Sequence, residues 1–179
     1  LGDVYKRQLI EGSVRLDDYD ILAIPGGFSY GDDISAGVLL ANELRYKLRD
    51  QVERFIEEGK LIIGICNGFQ VLVKAGLLPT LDGGGQKVTL AINDSGRFED
   101  RWVYLRKVDG DRCVFTRGIK GVIYLPVAHA EGKFIPQDEG VMGQLWENGQ
   151  VVFQYVGPDG RLAGYPWNPN GSFMGVAGI

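Results

Sequence analysis

The sequence predicts an α/β domain: a mostly parallel central sheet flanked by helices, with an antiparallel extension. Three observations predict it. Two short apolar runs, Ile21-Leu-Ala-Ile-Pro25 and Leu61-Ile-Ile-Gly-Ile65, read as buried strands. A long amphipathic stretch joins them, which makes a strand–helix–strand crossover and implies parallel pairing with a right-handed connection. Beyond Pro79, strand-like runs follow one another without helices between them, the pattern of antiparallel neighbours.

The composition sets outer bounds. The chain has 179 residues, 45% of them hydrophobic and 23% charged, which is ordinary for one globular domain. A formal net charge of -4 and a pI near 5.1 leave no electrostatic footprint for nucleic acid. No apolar run approaches the length of a membrane span, and no signal peptide is visible. Two cysteines, Cys66 and Cys113, make no disulfide framework, so a reducing, cytoplasmic setting is expected. The 27 glycines are scattered at turns and give neither a repeat nor a low-complexity segment.

Taken in order, Leu1–Gln8 has no assigned place. Leu16-Asp-Asp-Tyr-Asp20 leads into the first strand, Ile21–Pro25. In Val38–Glu58, Leu40, Leu44, Leu48, Val52, Phe55 and Ile56 recur at helical spacing on one face. Its charged residues read as a solvated face, and Gly59 is the expected stop. Leu61–Ile65 is the second strand. A helix starts at Gly68, with Val71 and Leu72 facing inward and Gly76 ending it. Leu81-Asp-Gly-Gly-Gly-Gln86 reads as a flexible loop, since no lysine and Ser/Thr follow in phosphate-loop spacing. Val88–Ile92, Trp102–Arg106, Val122–Val127 and Val151–Val156 read as strands, the second with one wet face by its alternation. Gly157-Pro-Asp-Gly160 is a turn.

One stretch carries chemistry. Cys66 stands between Gly64 and Gly68, directly after a strand and directly before a helix. A lone cysteine in an apolar run reads first as a buried structural thiol. The Gly-x-Cys-x-Gly frame turns that reading into a nucleophile elbow, in which glycines allow a strained, tightly packed corner. The corner raises the sulfur at the carboxyl edge of the sheet and at a helix N-terminus, where the dipole favours thiolate. Pro25-Gly-Gly27 stands at the end of the first strand. A double glycine there is a turn signal, and it also lets a backbone N–H approach a ligand closely.

Gly64-Ile-Cys66-Asn-Gly-Phe-Gln70 resembles the nucleophile segment of class I glutamine amidotransferases. It is most similar to the branch that serves phosphoribosylformylglycinamidine synthase in purine biosynthesis. Pro25-Gly-Gly-Phe-Ser-Tyr-Gly-Asp32 resembles the oxyanion loop of that branch. Pro126-Val-Ala-His-Ala-Glu-Gly132 and Asn168-Pro-Asn-Gly-Ser172 resemble two later segments, so the likeness covers nearly everything from Leu9 to Ile179. It implies a flavodoxin-like fold, a single amidotransferase domain over 9–179, and a role for each matching residue. Cys66 is the nucleophile. The N–H groups of Gly27 and Asn67 form the oxyanion hole, and losing one such donor costs about 3–4 kcal/mol. Gln70 helps to position the substrate. The implied reaction is glutamine hydrolysis through a Cys66 thioester. The ammonia passes to a synthetase subunit that converts formylglycinamide ribonucleotide to its amidine with ATP, with a small accessory subunit a further expected partner. No metal or organic cofactor is expected in this chain; ATP and magnesium are expected on the synthetase.

The resemblance also marks departures. Leu1–Gln8 matches nothing in the family and reads as foreign to the natural protein. The opening strand and helix of the family are missing, and Val176-Ala-Gly-Ile179 resembles the strand just before the family's catalytic His-Pro-Glu. The expectation is therefore a chain cut short at both ends and inactive alone. His129, the single histidine, has three open roles: a triad with Cys66 and Glu131, a lining of the glutamine pocket or a partner interface, or a plain structural histidine. The family places its triad elsewhere, which favours pocket lining and substrate binding. Two other readings of the whole stand beside the enzyme: a non-catalytic docking subunit, and another elbow-cysteine family of redox or chaperone-like character.

Overall fold

A computed structural model describes residues 2–27, 37–81, 84–108 and 110–179. The chain divides into two compact units, Leu1–Ala75 and Gly76–Ile179. Among the described residues no helix is long and apolar enough to cross a membrane.

The first unit runs α1 (Gly2–Glu11), a 3-10 turn (Leu16–Asp18), β1 (Ile21–Ile24), α2 (Val38–Tyr46), α3 (Arg49–Glu57), β2 (Leu61–Gly64) and α4 (Asn67–Lys74). The stretch 1–8, which had no assigned place, therefore falls largely within a helix. β1 and β2 pair in parallel, from Ile21 opposite Leu61 to Ile24 opposite Gly64, as the crossover requires.

The single helix expected over Val38–Glu58 is two helices. Lys47 closes α2, and Leu48 (φ -112°, ψ 10°) opens α3. The amides of Lys47 and Leu48 both reach the Glu43 carbonyl, at 2.9 and 3.1 Å. The cause lies in the spacing. Apolar residues four apart drift by about 40° per step around a straight helix, so Leu40 and Val52 cannot both face one core. The break re-aims the second half: Leu44, Leu48, Val52 and Phe55 are buried, while Ile56 is exposed.

The two strands are less covered than the apolar runs suggest. Ile21 is 52% exposed, and every residue of β2 is half-buried. Parallel strands are normally covered on both faces. Among the described residues this sheet has only two strands, so each has one edge outside the pair.

The second unit holds β3 (Val88–Ile92), β4 (Glu99–Lys107), β5 (Val122–His129), β6 (Glu131–Pro136), α5 (Glu139–Glu147), β7 (Phe153–Val156) and β8 (Val176–Gly178). β3 and β6 pair antiparallel, and a four-stranded antiparallel sheet has the order β5-β4-β7-β8. The architecture is the mixed α/β one expected, with parallel pairing confined to β1 and β2 among the described residues. Val103, Leu105 and Tyr155 form the inner face of the larger sheet, with Ile123, Val127, Phe153 and Ala177 against them. The outer face keeps the expected alternation but is aromatic: Trp102 and Tyr104 both stack on Tyr124, at 5.1 and 4.6 Å. β6 and α5 had no clear sequence signal. Gly140 and Gly143 dilute the helical pattern, though Asp138 caps the helix by accepting from the Val141 amide at 2.8 Å.

Candidate functional site

The elbow is built from the first unit alone. β2 ends at Gly64 and α4 begins at Asn67, so Cys66 sits on a corner of two residues. Its backbone is at φ 54°, ψ -113°, a region that L-residues avoid at a cost of about 1–3 kcal/mol. Cys66 is solvent-exposed, the opposite of a sealed structural thiol.

Three glycines make the corner possible. A Cβ on Gly68 would overlap the Ile24 carbonyl oxygen, so α4 rests directly on the β1 backbone. A Cβ on Gly64 would stand 2.6 Å from the Gly68 carbonyl oxygen and 2.7 Å from Leu72. Gly26 was not singled out from the sequence beyond its place in a double glycine. A Cβ there would stand 3.0 Å from the Cys66 Cβ and 3.7 Å from its sulfur. The strand end therefore lies flush against Cys66.

Gly27 follows at φ 97°, and no atom of the described residues lies within 4 Å of where a Cβ would project. The Asn67 side-chain amide donates to the Gly27 carbonyl at 2.7 Å, which ties the two expected oxyanion residues to one another. Gly37 completes this packing. It stands at φ 74°, and a Cβ there would be 2.7 Å from Val71 and 3.0 Å from the Asn67 Oδ1. No sequence signal marked Gly37. Within α4, the amides of Phe69 and Gln70 bond the Cys66 carbonyl at 3.0 and 3.2 Å. The Gln70 side chain is buried, one turn beyond Cys66. Residues 28–32 of the expected oxyanion loop lie outside the described residues, as do 82–83 of the glycine-rich loop.

His129 belongs to the second unit, at the end of β5. Both ring nitrogens are shielded from solvent and make no hydrogen bond among the described residues. Burial pushes the imidazole below its ordinary value of 6.5, opposed in part by the residue's own backbone and, less, by Glu99. That carboxylate is the cross-strand neighbour of His129 and not the Glu131 suggested by sequence proximity. Glu99 is buried and ion-paired with Arg101, whose guanidinium also donates to the Tyr165 hydroxyl at 2.9 Å. Strand pairing made Glu99 the neighbour, and pairing cannot be read from local spacing. Among the described residues no three His, Cys, Asp or Glu side chains converge as a metal site.

The family described as CobB/CobQ-like glutamine amidotransferase domain matches residues 2–179. That match begins inside the stretch left unplaced at 1–8. The chain is 51% identical over 177 residues to phosphoribosylformylglycinamidine synthase subunit PurQ of Dehalococcoides mccartyi, covering 98% of this chain and 67% of that one. It is 46% identical over 180 residues to the subunit of the same name from Methanococcus maripaludis, covering 98% of this chain and 65% of that one. It thus spans about two thirds of the length of these curated relatives. Among solved structures, PurLQS from Thermotoga maritima is similar at a TM-score of 0.67 and 34% sequence identity, over 91% of this chain and 63% of that chain.

Proposed function

The chain belongs to the CobB/CobQ-like glutamine amidotransferase family, in its PurQ-like branch, and we propose that it acts as the glutaminase subunit of a phosphoribosylformylglycinamidine synthase. The observation that carries this reading is the elbow: an exposed cysteine at φ 54°, ψ -113°, flush against a double glycine at a strand end.

The chemistry is acyl transfer. The Cys66 sulfur attacks the side-chain carbonyl carbon of glutamine, and the carbonyl oxygen gains the negative charge. The Gly27 and Asn67 amides stabilise that oxygen. The carbon–nitrogen bond then breaks, ammonia departs with an added proton, and a thioester remains. Water attacks the thioester, giving glutamate and restoring the thiol. Gln70, one turn beyond Cys66, helps to position the substrate glutamine. His129 is not the proton donor in this scheme, because neither ring nitrogen is open to solvent. The resembled family assigns that proton to a His-Pro-Glu segment, a string that does not occur in 1–179.

The ammonia would pass to a synthetase subunit that forms formylglycinamidine ribonucleotide from formylglycinamide ribonucleotide with ATP and magnesium. A small accessory subunit would complete the assembly, in the cytoplasm. The likeness to PurLQS supports this partnership. Cys66→Ala in the full-length protein, assembled with its synthetase, tests the reading. Glutamine-dependent turnover is expected to fall at least about a thousandfold while ammonia-dependent turnover persists. Equal loss of both would make Cys66 structural. No loss of either would favour a non-catalytic docking subunit.

A further inference from the structure

The peptide that carries the Gly27 N–H lies between two glycines, Gly26 and Gly27. With no Cβ on either side, such a peptide has a wide choice of dihedral angles. A donor aimed at a developing charge must instead be fixed before the charge appears, because its value lies in needing no reorganisation. The first unit holds this peptide from outside, at both ends.

At one end the α-carbon of Gly26 lies against the elbow. A Cβ there would stand 3.0 Å from the Cys66 Cβ and 3.5 Å from the Ile65 carbonyl oxygen. At the other end the Gly27 carbonyl accepts from the Asn67 Nδ2 at 2.7 Å. Asn67 is the first residue of α4 and is only 5% exposed, so this bond is sheltered from competing water. The residue is itself anchored. The amide of the next residue, Gly68, donates to the Ile65 carbonyl at 2.9 Å, and the Ile65 amide donates to the Ile24 carbonyl at 3.0 Å. On its far side the Asn67 side chain meets Gly37, which precedes α2; a Cβ there would stand 3.0 Å from Oδ1. Fully buried Val71, one turn along α4, packs on the same glycine. The side-chain amide is thus wedged between the chain leaving β1 and the chain entering α2.

Packing alone does not ask for an amide here. An aliphatic residue of similar size would fill the space and leave the Gly27 carbonyl without this donor. We infer that the Asn67 side chain is a positioning residue: by holding the Gly27 carbonyl it sets the Gly27 N–H for the oxygen that gains charge when Cys66 attacks. The inference rests on the glutaminase reading, and it gives this side chain a task separate from that of its own backbone N–H.

The test uses the full-length protein assembled with its synthetase, with each rate normalised to ammonia-dependent turnover of the same preparation. Asn67→Ala keeps the backbone N–H and removes the tether. It is expected to lower the kcat for glutamine about thirtyfold with KM changed less than about threefold. Alkylation of Cys66 by iodoacetamide, followed by the mass of the Cys66 peptide, is expected to change less than about twofold. That reagent loses iodide from a saturated carbon and develops no oxyanion. An unchanged kcat, or alkylation slowed as much as kcat, overturns the inference. Should Asn67→Ala fail to fold, Asn67→Asp decides. Its carboxyl has the same shape and can donate to the Gly27 carbonyl only when protonated, a form that burial favours. Its kcat relative to wild type at the same pH must therefore be at least about threefold higher at pH 6 than at pH 8.5; a constant ratio overturns the inference. The two readings fail separately. If Cys66→Ala keeps glutamine-dependent turnover, the glutaminase reading falls. If Cys66 behaves as a nucleophile and the Asn67 variants fail their test, only the positioning role falls.

Discussion

At the scale of residues, Cys66 and His129 show the reach of sequence reasoning and its edge. The frame around Cys66 was legible because the constraint is local: strand, glycine, cysteine, glycine and helix are contiguous, and the observed φ of 54° is what that order builds. The surroundings of His129 were not legible. Its carboxylate neighbour, Glu99, comes from another strand, and the ring rests on Gly132 because the hairpin folds it there. The buried ring makes a prediction of its own. Its folded-state pKa is depressed, so below its ordinary value of 6.5 the unfolded chain binds more protons than the folded one. Stability should therefore fall as pH drops below that value, and level off once the folded-state value is passed. The slope from one such group is at most about 1.4 kcal/mol per pH unit. Denaturant midpoints of wild type and His129→Gln, followed from pH 8 to pH 5, should diverge only below about pH 6.5. Parallel curves would show that the imidazole titrates as it does in the unfolded chain.

At the scale of elements, the amphipathic stretch over 38–58 was visible and its break was not. Four-residue spacing reads as one helix; the drift of about 40° per step, which parts Leu40 from Val52, is what the turn at Lys47 and Leu48 corrects. β6 and α5 escaped notice for the reverse reason, since glycines at 132, 140 and 143 blur their periodicity. The glycines of the elbow look alike in sequence, and the structure separates them. Gly68 is glycine for space, because α4 lies on the β1 backbone at Ile24. Gly27 is glycine for conformation, at φ 97° with no atom of the described residues near its missing side chain. Gly68→Ala should therefore cost at least about 3 kcal/mol, since backbone must move against backbone. Gly27→Ala should cost only about 1–2 kcal/mol of strain. Chemical denaturation of the two variants distinguishes them. A Gly68→Ala protein within about 1 kcal/mol of wild type would mean that the close approach of α4 to β1 is not part of the folded state.

At the scale of the molecule, the two units differ in how their sheets are enclosed, and stability should follow. In the second unit β4 has a partner on each edge, β5 from Glu99 to Arg106 and β7 from Tyr104 to Lys107. Its inward residue Val103 is fully buried, as is Val156 on β7. Opening those amides requires breaking two ladders and wetting the inner face of the sheet together. In the first unit, β1 pairs with β2 alone among the described residues, and both strands are half-covered. An excursion that frees them breaks one ladder and exposes little that is not already exposed. Local opening free energies range from near zero at such places up to the global value in enclosed strands. Native-state hydrogen exchange should therefore show the amides of Val103 and Leu105 among the last to exchange, at rates set by global unfolding. Amides of Leu22–Ile24 and Ile62–Gly64 should exchange earlier by at least about a hundredfold, equivalent to roughly 3 kcal/mol of easier opening. Equal protection in β1 and β4 would show that the first sheet is enclosed in solution to the same degree as the second, and that its exposed isoleucines are covered there.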